Sequence, residues 1–435
     1  MGARETALNV LIACRKDGAW SNGVLKEYCA HDKLDKREAA LAARLSYGVL
    51  QNRLRLDFYL KQLLKGKLNQ LHPALRDILH LGIYPLYEMD RIPESAAVNE
   101  SVLLAKKYCK KIPNSAALVN GVLRNTIRNR NDLEEPSSLS DRYSHPQKLV
   151  DLFKAYVGED KLEKMLVANN DIAPMVIQVN TCRTSTDDLQ KILSDEGVSA
   201  VGHPWLENCL VLKDSGNIES LESFRSGLFY VQDAAAKLSV ICAGIQAGDV
   251  VLDCCAAPGG KTFAAAMAGA GKVISCDIHA HKVSLIEKGA ERLGLAAVHA
   301  MVHDASVFSG EWDAQMDVVI ADVPCSGYGI IRKKPDIRYK DPDTMSQLSA
   351  LQLAILKNQA RYVKPGGTLL YSTCTLVRKE NEGVIEKFLK EAPEFYKEPL
   401  QLPDVFGENT DGMLRLIPGE YDTDGFFICR LRRKV

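Results

Sequence analysis

The sequence predicts an α/β protein in three parts: an all-α domain over residues 1–130, a small α+β domain over 147–227 and a doubly wound α/β domain over 228–435. Three observations carry this prediction. Leu and Ala recur at helical spacing through the first part, strands alternate with helices through the last, and residues 131–146 form a polar, aperiodic stretch. We expect that stretch to be a linker.

The first part has the pattern of amphipathic helices. In "REAALAARLSYGVLQNRLRLDFYLKQLL", Leu41, Leu45 and Val49 recur at helical spacing among charged residues. Helices are expected to begin or end at the prolines of this part, which are Pro73, Pro85, Pro93 and Pro113.

The second part mixes both kinds of element. A helical pattern, "KLVDLFKAYVGEDKLEKMLVANN", precedes an alternating strand, "MVIQVNT". A helix opened by a Thr/Ser cap, "TSTDDLQKILSDEG", and short strands such as "CLVLKD" follow. Together they predict a small α+β domain.

The third part contains apolar strands separated by helical stretches of βαβ size. The strands are "VVLDCCA", "KVISCDI", "VHAMVHDA", "DVVIADVP" and "GGTLLYSTC". Such an alternation predicts a doubly wound parallel sheet whose ligands bind at the carboxyl ends of the strands.

Composition excludes several classes of protein. With 435 residues, 46% apolar and 25% charged, the chain is globular in type and contains no run of 18 apolar residues. Its first residues mix charge into the apolar positions, so we expect no signal peptide. We therefore expect a cytoplasmic protein without a membrane partner. The 12 cysteines include no C-x-x-C pair, which argues against a zinc site and a disulfide framework, so no metal is expected.

The formal charge is zero but unevenly distributed. Residues 1–140 hold 22 Lys and Arg against 15 Asp and Glu, and seven of these cations lie between Ser101 and Asn131 without an acid. A basic arm of this kind indicates a polyanionic partner such as nucleic acid, although a solvated helical face has the same pattern.

Acidic residues end four successive strands of the third part: Asp253, Asp277, Asp304 and Asp322. The first is followed by the small residues of "DCCAAPGGKT", where backbone amides can approach a ligand. A P-loop is disfavoured, because its first glycine is replaced by Cys255. Carboxylates instead suit a nucleoside ligand without phosphates, and S-adenosylmethionine fits that description.

Two strands each deliver a thiol. Cys325 follows "ADVP" and Cys374 ends "GGTLLYSTC". Most free cysteines are small buried apolar residues, but the position of these two at strand ends indicates a catalytic site.

In this order and spacing, "DCCAAPGGKT", "ADVPCSG" and "YSTCT" resemble the RNA cytosine-5 methyltransferase family. "SAAVNESVLLAKKY" and "LVNGVLRN" resemble the NusB fold, an RNA-binding helical domain. The combination is similar to the bacterial RsmB group, and the resemblance covers essentially the whole chain. It implies a Rossmann-like catalytic domain that methylates C5 of a cytosine in 16S ribosomal RNA, at position 967 of that RNA.

The chemistry gives both thiols a task. C5 of cytosine becomes nucleophilic when a thiolate adds to C6, and a second group then assists loss of the C5 proton and expulsion of the thiol. The resemblance assigns Cys374 as nucleophile and Cys325 as the release residue, and it brings Lys261 into the active centre. Asp322 is expected to hold the N3 and exocyclic amine of the base.

The resemblance also implies the residues that bind S-adenosylmethionine. These are Cys254, Cys255, Ala256, Ala257, Pro258, Gly259, Gly260, Asp277, Lys282, Asp304 and Asp322.

Three groups of basic residues are candidates for gripping RNA around an extruded base. They are Arg124 with Arg128; Lys106, Lys107, Lys110 and Lys111; and Arg332, Lys333, Lys334 and Arg338, which are expected to border the active site. Where the family usually has Arg in "MVIQVNT", this chain has Gln178, which puts an RNA contact of that strand in doubt.

Other functions stay open at this point. The same chemistry on another RNA such as tRNA, or on DNA cytosine, is one alternative; DNA enzymes resemble the chain only in the "PC" element. Amino-group methyltransferases carry N/D-P-P-aromatic in place of "DVPCSG". A non-catalytic RNA-binding assembly factor is the alternative of a different class. No obligate protein partner is implied, and we expect a monomer.

Overall fold

The computed structural model describes residues 2–213, 215–345 and 347–435. The chain forms two compact units. The first comprises Met1–Asn170 together with Ile331–Lys340, and the second comprises Asp171–Ile330 and Asp341–Val435.

The first unit is helical. Its helices are α1 (Ala3–Asp17), α2 (Ser21–His31), α3 (Lys36–Leu63), α4 (Pro73–Glu88), α5 (Glu94–Tyr108), α6 (Ser115–Asn129), α7 (Leu139–Arg142), α8 (Gln147–Val157) and α9 (Glu159–Ala168).

Local chemistry explains where two of these helices begin. The Asp35 side chain caps α3 by accepting from the Glu38 amide, and Pro73 occupies the first turn of α4, where a missing N–H costs nothing. The expectation that every proline marks a helix boundary is wrong for Pro85, which lies inside α4. That helix buries an apolar face along most of its length, which outweighs the hydrogen bond that proline cannot donate.

The expected linker, residues 131–146, contains the short helix α7, and α8 and α9 cluster with the helical unit rather than with the small sheet. The spacing of apolar residues did not predict that α8 and α9 belong to the helical unit, because this spacing identifies helices without showing what they pack against.

The second unit contains two sheets. The smaller has the order β2-β3-β1-β4 and is antiparallel. Its elements are β1 (Met175–Val179), α10 (Thr186–Asp195), β2 (Ser199–Gly202), β3 (Cys209–Lys213), α11 (Glu222–Arg225) and β4 (Phe229–Val231). Because β4 pairs with β1, this sheet extends a few residues beyond the expected boundary at residue 227.

The remaining elements build the larger sheet and its helices. They are α12 (Ala234–Ala243), β5 (Val250–Asp253), α13 (Gly260–Met267), β6 (Lys272–Asp277), α14 (Ala280–Leu293), β7 (Val298–Val302), β8 (Met316–Asp322), α15 (Leu348–Ala360), β9 (Val363–Thr373), α16 (Glu382–Glu391), β10 (Phe395–Lys397), β11 (Met413–Leu416) and β12 (Phe426–Arg433).

The larger sheet has the order β7-β6-β5-β8-β9-β12-β10, and β11 pairs with β12. Strands β5 to β9 are parallel, whereas β12 runs antiparallel to β9, β10 and β11. The order reverses at β5, so the carboxyl ends of β5, β6 and β8 meet where a doubly wound sheet binds its ligands. The predicted fold class is confirmed. Within the described ranges, no helix is both long and apolar enough to cross a membrane.

Candidate active site

The loop between β5 and α13 is shaped by two glycines. Gly259 has a φ of 112°, in the left-handed region that side chains rarely adopt. A Cβ on Gly260 would lie 2.9 Å from Nε2 of Gln232, so a side chain at this position would have to displace the end of the Gln232 side chain. The Ala256 amide donates to the Cys276 carbonyl over 2.8 Å and ties the loop to β6. The Cys254 thiol lies in the hydrophobic core, so only its backbone is available to a ligand.

Asp253 does not line a cleft, contrary to the expectation that all four strand-end acids do so. Its side chain is fully buried, and its Oδ2 accepts from Thr262 Oγ1 over 2.8 Å. Its Oδ1 has no hydrogen-bond partner among the described residues. Burial raises the pKa of this carboxyl to about 7. Asp253 therefore supports the loop from beneath.

Asp277 and Asp304 stand at or just beyond the ends of their strands. Asp277 Oδ1 accepts from the His279 amide over 3.0 Å and lies 3.8 Å from Lys282 Nζ. Asp304 accepts from the hydroxyl and the amide of Ser306, and these two bonds hold the pKa of its carboxyl below the usual range. Carboxylates fixed in this way suit the hydroxyls of a ribose.

Lys261 and Asp322 form an ion pair, with 2.6 Å between Nζ and Oδ2. The Lys261 side chain is 10% exposed and that of Asp322 is 28% exposed. Burial alone would lower the pKa of Lys261, but the neighbouring Asp322 carboxylate outweighs it and raises that pKa. Ser372 Oγ donates to the other oxygen of Asp322 over 2.7 Å, so the carboxylate is held on both sides. The Lys261 ammonium also lies 5.2 Å from the centre of the Phe426 ring.

The two cysteines meet at this edge of the sheet, with 3.4 Å between Cys325 Sγ and Cys374 Sγ. Both residues are partly exposed. The hydrogen bond with Cys374 and burial raise the pKa of the Cys325 thiol well above its ordinary value, and the Cys374, Glu380 and Asp322 charges raise it further. A negative charge on Cys374 would interact with the Lys261 ammonium and contributes to raising the pKa of Lys261.

Two polar residues that the sequence analysis did not single out support both cysteine loops. Glu380 is 4% exposed and accepts hydrogen bonds from Ser326, next to Cys325. Asn381 is fully buried and bonds to Thr373 and Thr375, on either side of Cys374. The available signal was a polar "ENE" run soon after the second cysteine, which on its own is typical of a helix start.

The candidate RNA-binding residues are placed differently. Arg124 and Arg128 are exposed on α6, and Lys106, Lys110 and Lys111 are exposed on or just after α5, whereas Lys107 pairs with Glu5. Gln178 is buried and donates to the Gln232 carbonyl over 3.1 Å, so its side chain does not face solvent.

Arg338 was expected to contact RNA with the third group of basic residues, and the structure contradicts this. It is 1% exposed and belongs to the helical unit, where its guanidinium donates to the carbonyls of Gln51, Ser144 and Asn169. Burial lowers its pKa to about 10. An arginine in this position organises the helical unit and cannot contact a phosphate.

The strand order of the larger sheet, with its glycine-shaped loop and strand-end carboxylates, defines the class of Rossmann-like S-adenosylmethionine-dependent methyltransferases. Three family models match the chain: 16S rRNA methyltransferase RsmB/F over residues 240–432, the NusB family over 1–128, and the ferredoxin-like domain of RsmF/B-like methyltransferases over 145–219.

Relatives match along the whole length. "Probable ribosomal RNA small subunit methyltransferase B" of Bacillus subtilis (strain 168) is 36% identical over 99% of this chain and 98% of its own. "Ribosomal RNA small subunit methyltransferase B" of Vibrio cholerae is 32% identical over 93% and 92%. The crystal structure of PH0851 shares the fold, with a TM-score of 0.82, 24% identity and coverage of 100% and 99%. The chain belongs to the RsmB/F family of 16S rRNA methyltransferases, and the predicted family is confirmed.

Proposed function

We propose that this protein transfers a methyl group from S-adenosylmethionine to C5 of a specific cytosine in 16S ribosomal RNA, with Cys374 as nucleophile and Cys325 as release residue. The observation that carries the proposal is the pair of thiols 3.4 Å apart, together with the partly buried Lys261–Asp322 ion pair. Methylation of an amino group or of a hydroxyl would not need a nucleophilic thiol, still less two.

The residues present suit S-adenosylmethionine. The proposed set is the loop Cys254–Gly260 with the carboxylates of Asp277, Asp304 and Asp322, and Lys282 beside the first of these. Carboxylates match ribose hydroxyls and a cationic ligand, and they would repel a triphosphate. When bound, S-adenosylmethionine supplies the methyl group that C5 accepts.

Cys374 begins the reaction as the thiolate that adds to C6 of the base. The bond that forms is S–C6, and the 5,6 double bond opens, so that its electron pair becomes available at C5. The negative charge of Cys374 as a thiolate is attracted to the Lys261 ammonium. Asp322, held by Lys261 and Ser372, is oriented to accept a hydrogen bond from the exocyclic amine of cytosine.

Cys325 has a different task because of its neighbour. While Cys374 carries a negative charge, that charge and the hydrogen bond between the two sulfurs keep Cys325 protonated. Once Cys374 is bonded to C6, its charge is gone and the pKa of Cys325 falls. Cys325 can then lose its own proton to solvent and, as a thiolate, take the C5 proton after the methyl group has been transferred. The electron pair of the C5–H bond re-forms the 5,6 double bond, the S–C6 bond breaks, and Cys374 leaves as a thiolate. The same pair of groups thus acts in sequence.

We further propose that the protein works in the cytoplasm as a monomer without an obligate protein partner, and that the exposed cations of α5 and α6 position the RNA through its phosphates. Arg338 is excluded from that role because its side chain is buried.

The test uses the purified protein, tritiated S-adenosylmethionine and unmethylated 16S rRNA, with tRNA and cytosine-containing DNA as competitors. Digestion to nucleosides is expected to place the label in 5-methylcytidine from 16S rRNA alone. Label in tRNA would mean that tRNA is a substrate of the enzyme. RNA binding without methyl transfer to any substrate would favour the non-catalytic assembly factor.

A further inference from the structure

A buried carboxylate holds the loop that carries Cys325. Glu380 Oε1 accepts from Ser326 Oγ over 2.6 Å, and its Oε2 accepts from the Ser326 amide over 2.9 Å. Gln352 Nε2 donates both to Glu380 Oε2 and to the Pro324 carbonyl, each over 2.9 Å. The residues before and after Cys325 are therefore both tied to Glu380, directly or through Gln352.

The next residue holds the other thiol. Thr373 Oγ1 donates to Asn381 Oδ1 over 2.6 Å, and Asn381 Nδ2 donates to the Thr375 carbonyl over 3.0 Å. One amide side chain thus bonds to the residues on both sides of Cys374. The Cys374 carbonyl also accepts from the Gly329 amide, in the segment that follows Cys325, over 2.9 Å.

A hydroxyl contact joins the two loops. Ser326 Oγ and Thr375 Oγ1 lie 2.6 Å apart, and because Ser326 donates to Glu380, Thr375 donates to Ser326. Ser326, Thr375 and Glu380 are all buried. Among the described residues no Lys or Arg pairs with Glu380, so its carboxylate is balanced by neutral donors alone. A buried charge in that situation is costly unless its hydrogen bonds are complete, which makes the arrangement rigid.

We propose that Glu380 and Asn381 are positioning residues that together set the separation and orientation of Cys325 and Cys374. The pair, which we name the thiol clamp, acts on the two cysteines through Ser326, Thr373 and Thr375. This inference deepens the proposed function and rests on it, since the clamp has a purpose only if both thiols act on one base.

The hydrogen-bond pattern predicts which substitutions the clamp tolerates. In Glu380→Gln, the amide oxygen can still accept from the Ser326 amide and Gln352, and the new NH₂ can donate to Ser326 Oγ, which then donates to Thr375. Glu380→Ala removes every one of these bonds. Asn381→Asp keeps the shape but replaces the donor to the Thr375 carbonyl with a second acceptor, so the loop of Cys374 must move.

The kinetic test compares these three variants with wild type and with Glu386→Ala, a matched control that removes an exposed glutamate of α16 paired with Arg378. For Glu380→Ala and Asn381→Asp we expect kcat to fall by about 100-fold while the KM for RNA and the Kd for S-adenosylmethionine change less than about 2-fold. Glu380→Gln is expected to keep kcat within about 5-fold of wild type. Thermal melting identifies any variant that is not folded.

A second readout needs no substrate. Diamide oxidises two thiols to a disulfide and is itself reduced to the hydrazine, taking up both protons and both electrons. The two sulfurs must close from 3.4 Å to about 2 Å, so the rate reports their geometry. Peptide mapping by mass spectrometry is expected to show the Cys325–Cys374 disulfide forming about 10-fold more slowly in Glu380→Ala and Asn381→Asp than in wild type or Glu386→Ala.

The outcomes separate the clamp from the reaction itself. If wild type makes no 5-methylcytidine, the proposed function fails, and the disulfide rates still decide whether the clamp exists. If wild type is active and the folded Glu380→Ala and Asn381→Asp proteins match it in kcat and in disulfide rate, the clamp is refuted. A loss of activity in Glu380→Gln as large as in Glu380→Ala would also refute the clamp. The clamp depends on the hydrogen bonds of residue 380, which glutamine can still make, and not on its charge.

Discussion

The Lys261–Asp322 ion pair allows a quantitative test by a double-mutant cycle. Lys261→Met removes the ammonium that lies by Phe426 and keeps an unbranched aliphatic side chain, whereas Asp322→Asn removes the charge and keeps an acceptor for Ser372. The double variant loses both charges. The coupling free energy is the part of the two single effects that disappears when they are combined.

The structure sets the size of that coupling. For charges 2.6 Å apart, an effective dielectric constant of about 20 gives an attraction of roughly 6 kcal/mol. Asp322 retains 28% exposure, and water there weakens the attraction, so we expect a coupling of about 3 kcal/mol. Because Lys261 is largely buried, about 0.5 M NaCl is expected to reduce this value only slightly.

The assay is urea unfolding followed by tryptophan fluorescence in a Trp20→Phe background, so that the signal comes from Trp205 and Trp312 of the second unit. Each single variant is expected to lower the free energy of unfolding. The loss in the double variant is expected to be about 3 kcal/mol smaller than the sum of the two single losses. A coupling below about 0.5 kcal/mol, which is typical of an exposed pair, would mean that the ammonium does not face Asp322 in solution, and the electrostatic account of the site would be refuted.

Three further changes have defined outcomes. Asp253→Asn should gain stability relative to wild type as pH rises from about 4 to 7. The folded pKa of the Asp253 carboxyl is raised to about 7, so the stability that this group contributes is present at low pH and is lost across that range. Urea unfolding at several pH values measures the difference. Asp277→Asn should weaken S-adenosylmethionine binding about 10-fold in calorimetry and leave RNA affinity unchanged. Arg338→Met should destabilise the helical unit by about 3 kcal/mol, seen as a lower melting temperature, whereas the exposed Lys333→Met should not.

The site could be predicted from the sequence where chemistry coincides with strand ends. Cys325, Cys374 and Asp322 follow apolar strands, and parallel strands bring their carboxyl ends together, so their proximity followed from the pattern. The fold class followed in the same way, because the period of apolar residues distinguishes the helical first part from the α/β last part.

Other features depend on partners that are distant in sequence. Glu380 bonds to Ser326, 54 residues earlier, and nothing in "RKENEG" indicates that contact. Arg338 looks like a surface cation among other cations, yet its acceptors are backbone carbonyls of residues 51, 144 and 169, which no side-chain pattern encodes. Asp253 shares its strand-end position with Asp277, and only packing shows that it points into the interior. Positions along the chain were predictable, whereas side-chain environments were not.

The central claim is that the two thiols act in sequence on one cytosine, and covalent trapping tests it most directly. Wild type, Cys374→Ala and Cys325→Ala are incubated with labelled 16S rRNA and S-adenosylmethionine, denatured and separated on a gel. We expect Cys325→Ala to accumulate a covalent protein–RNA band that Cys374→Ala lacks, because the adduct forms through Cys374 and resolves with the help of Cys325. A band in Cys374→Ala, or 5-methylcytidine formed by that variant at the wild-type rate, would contradict the account.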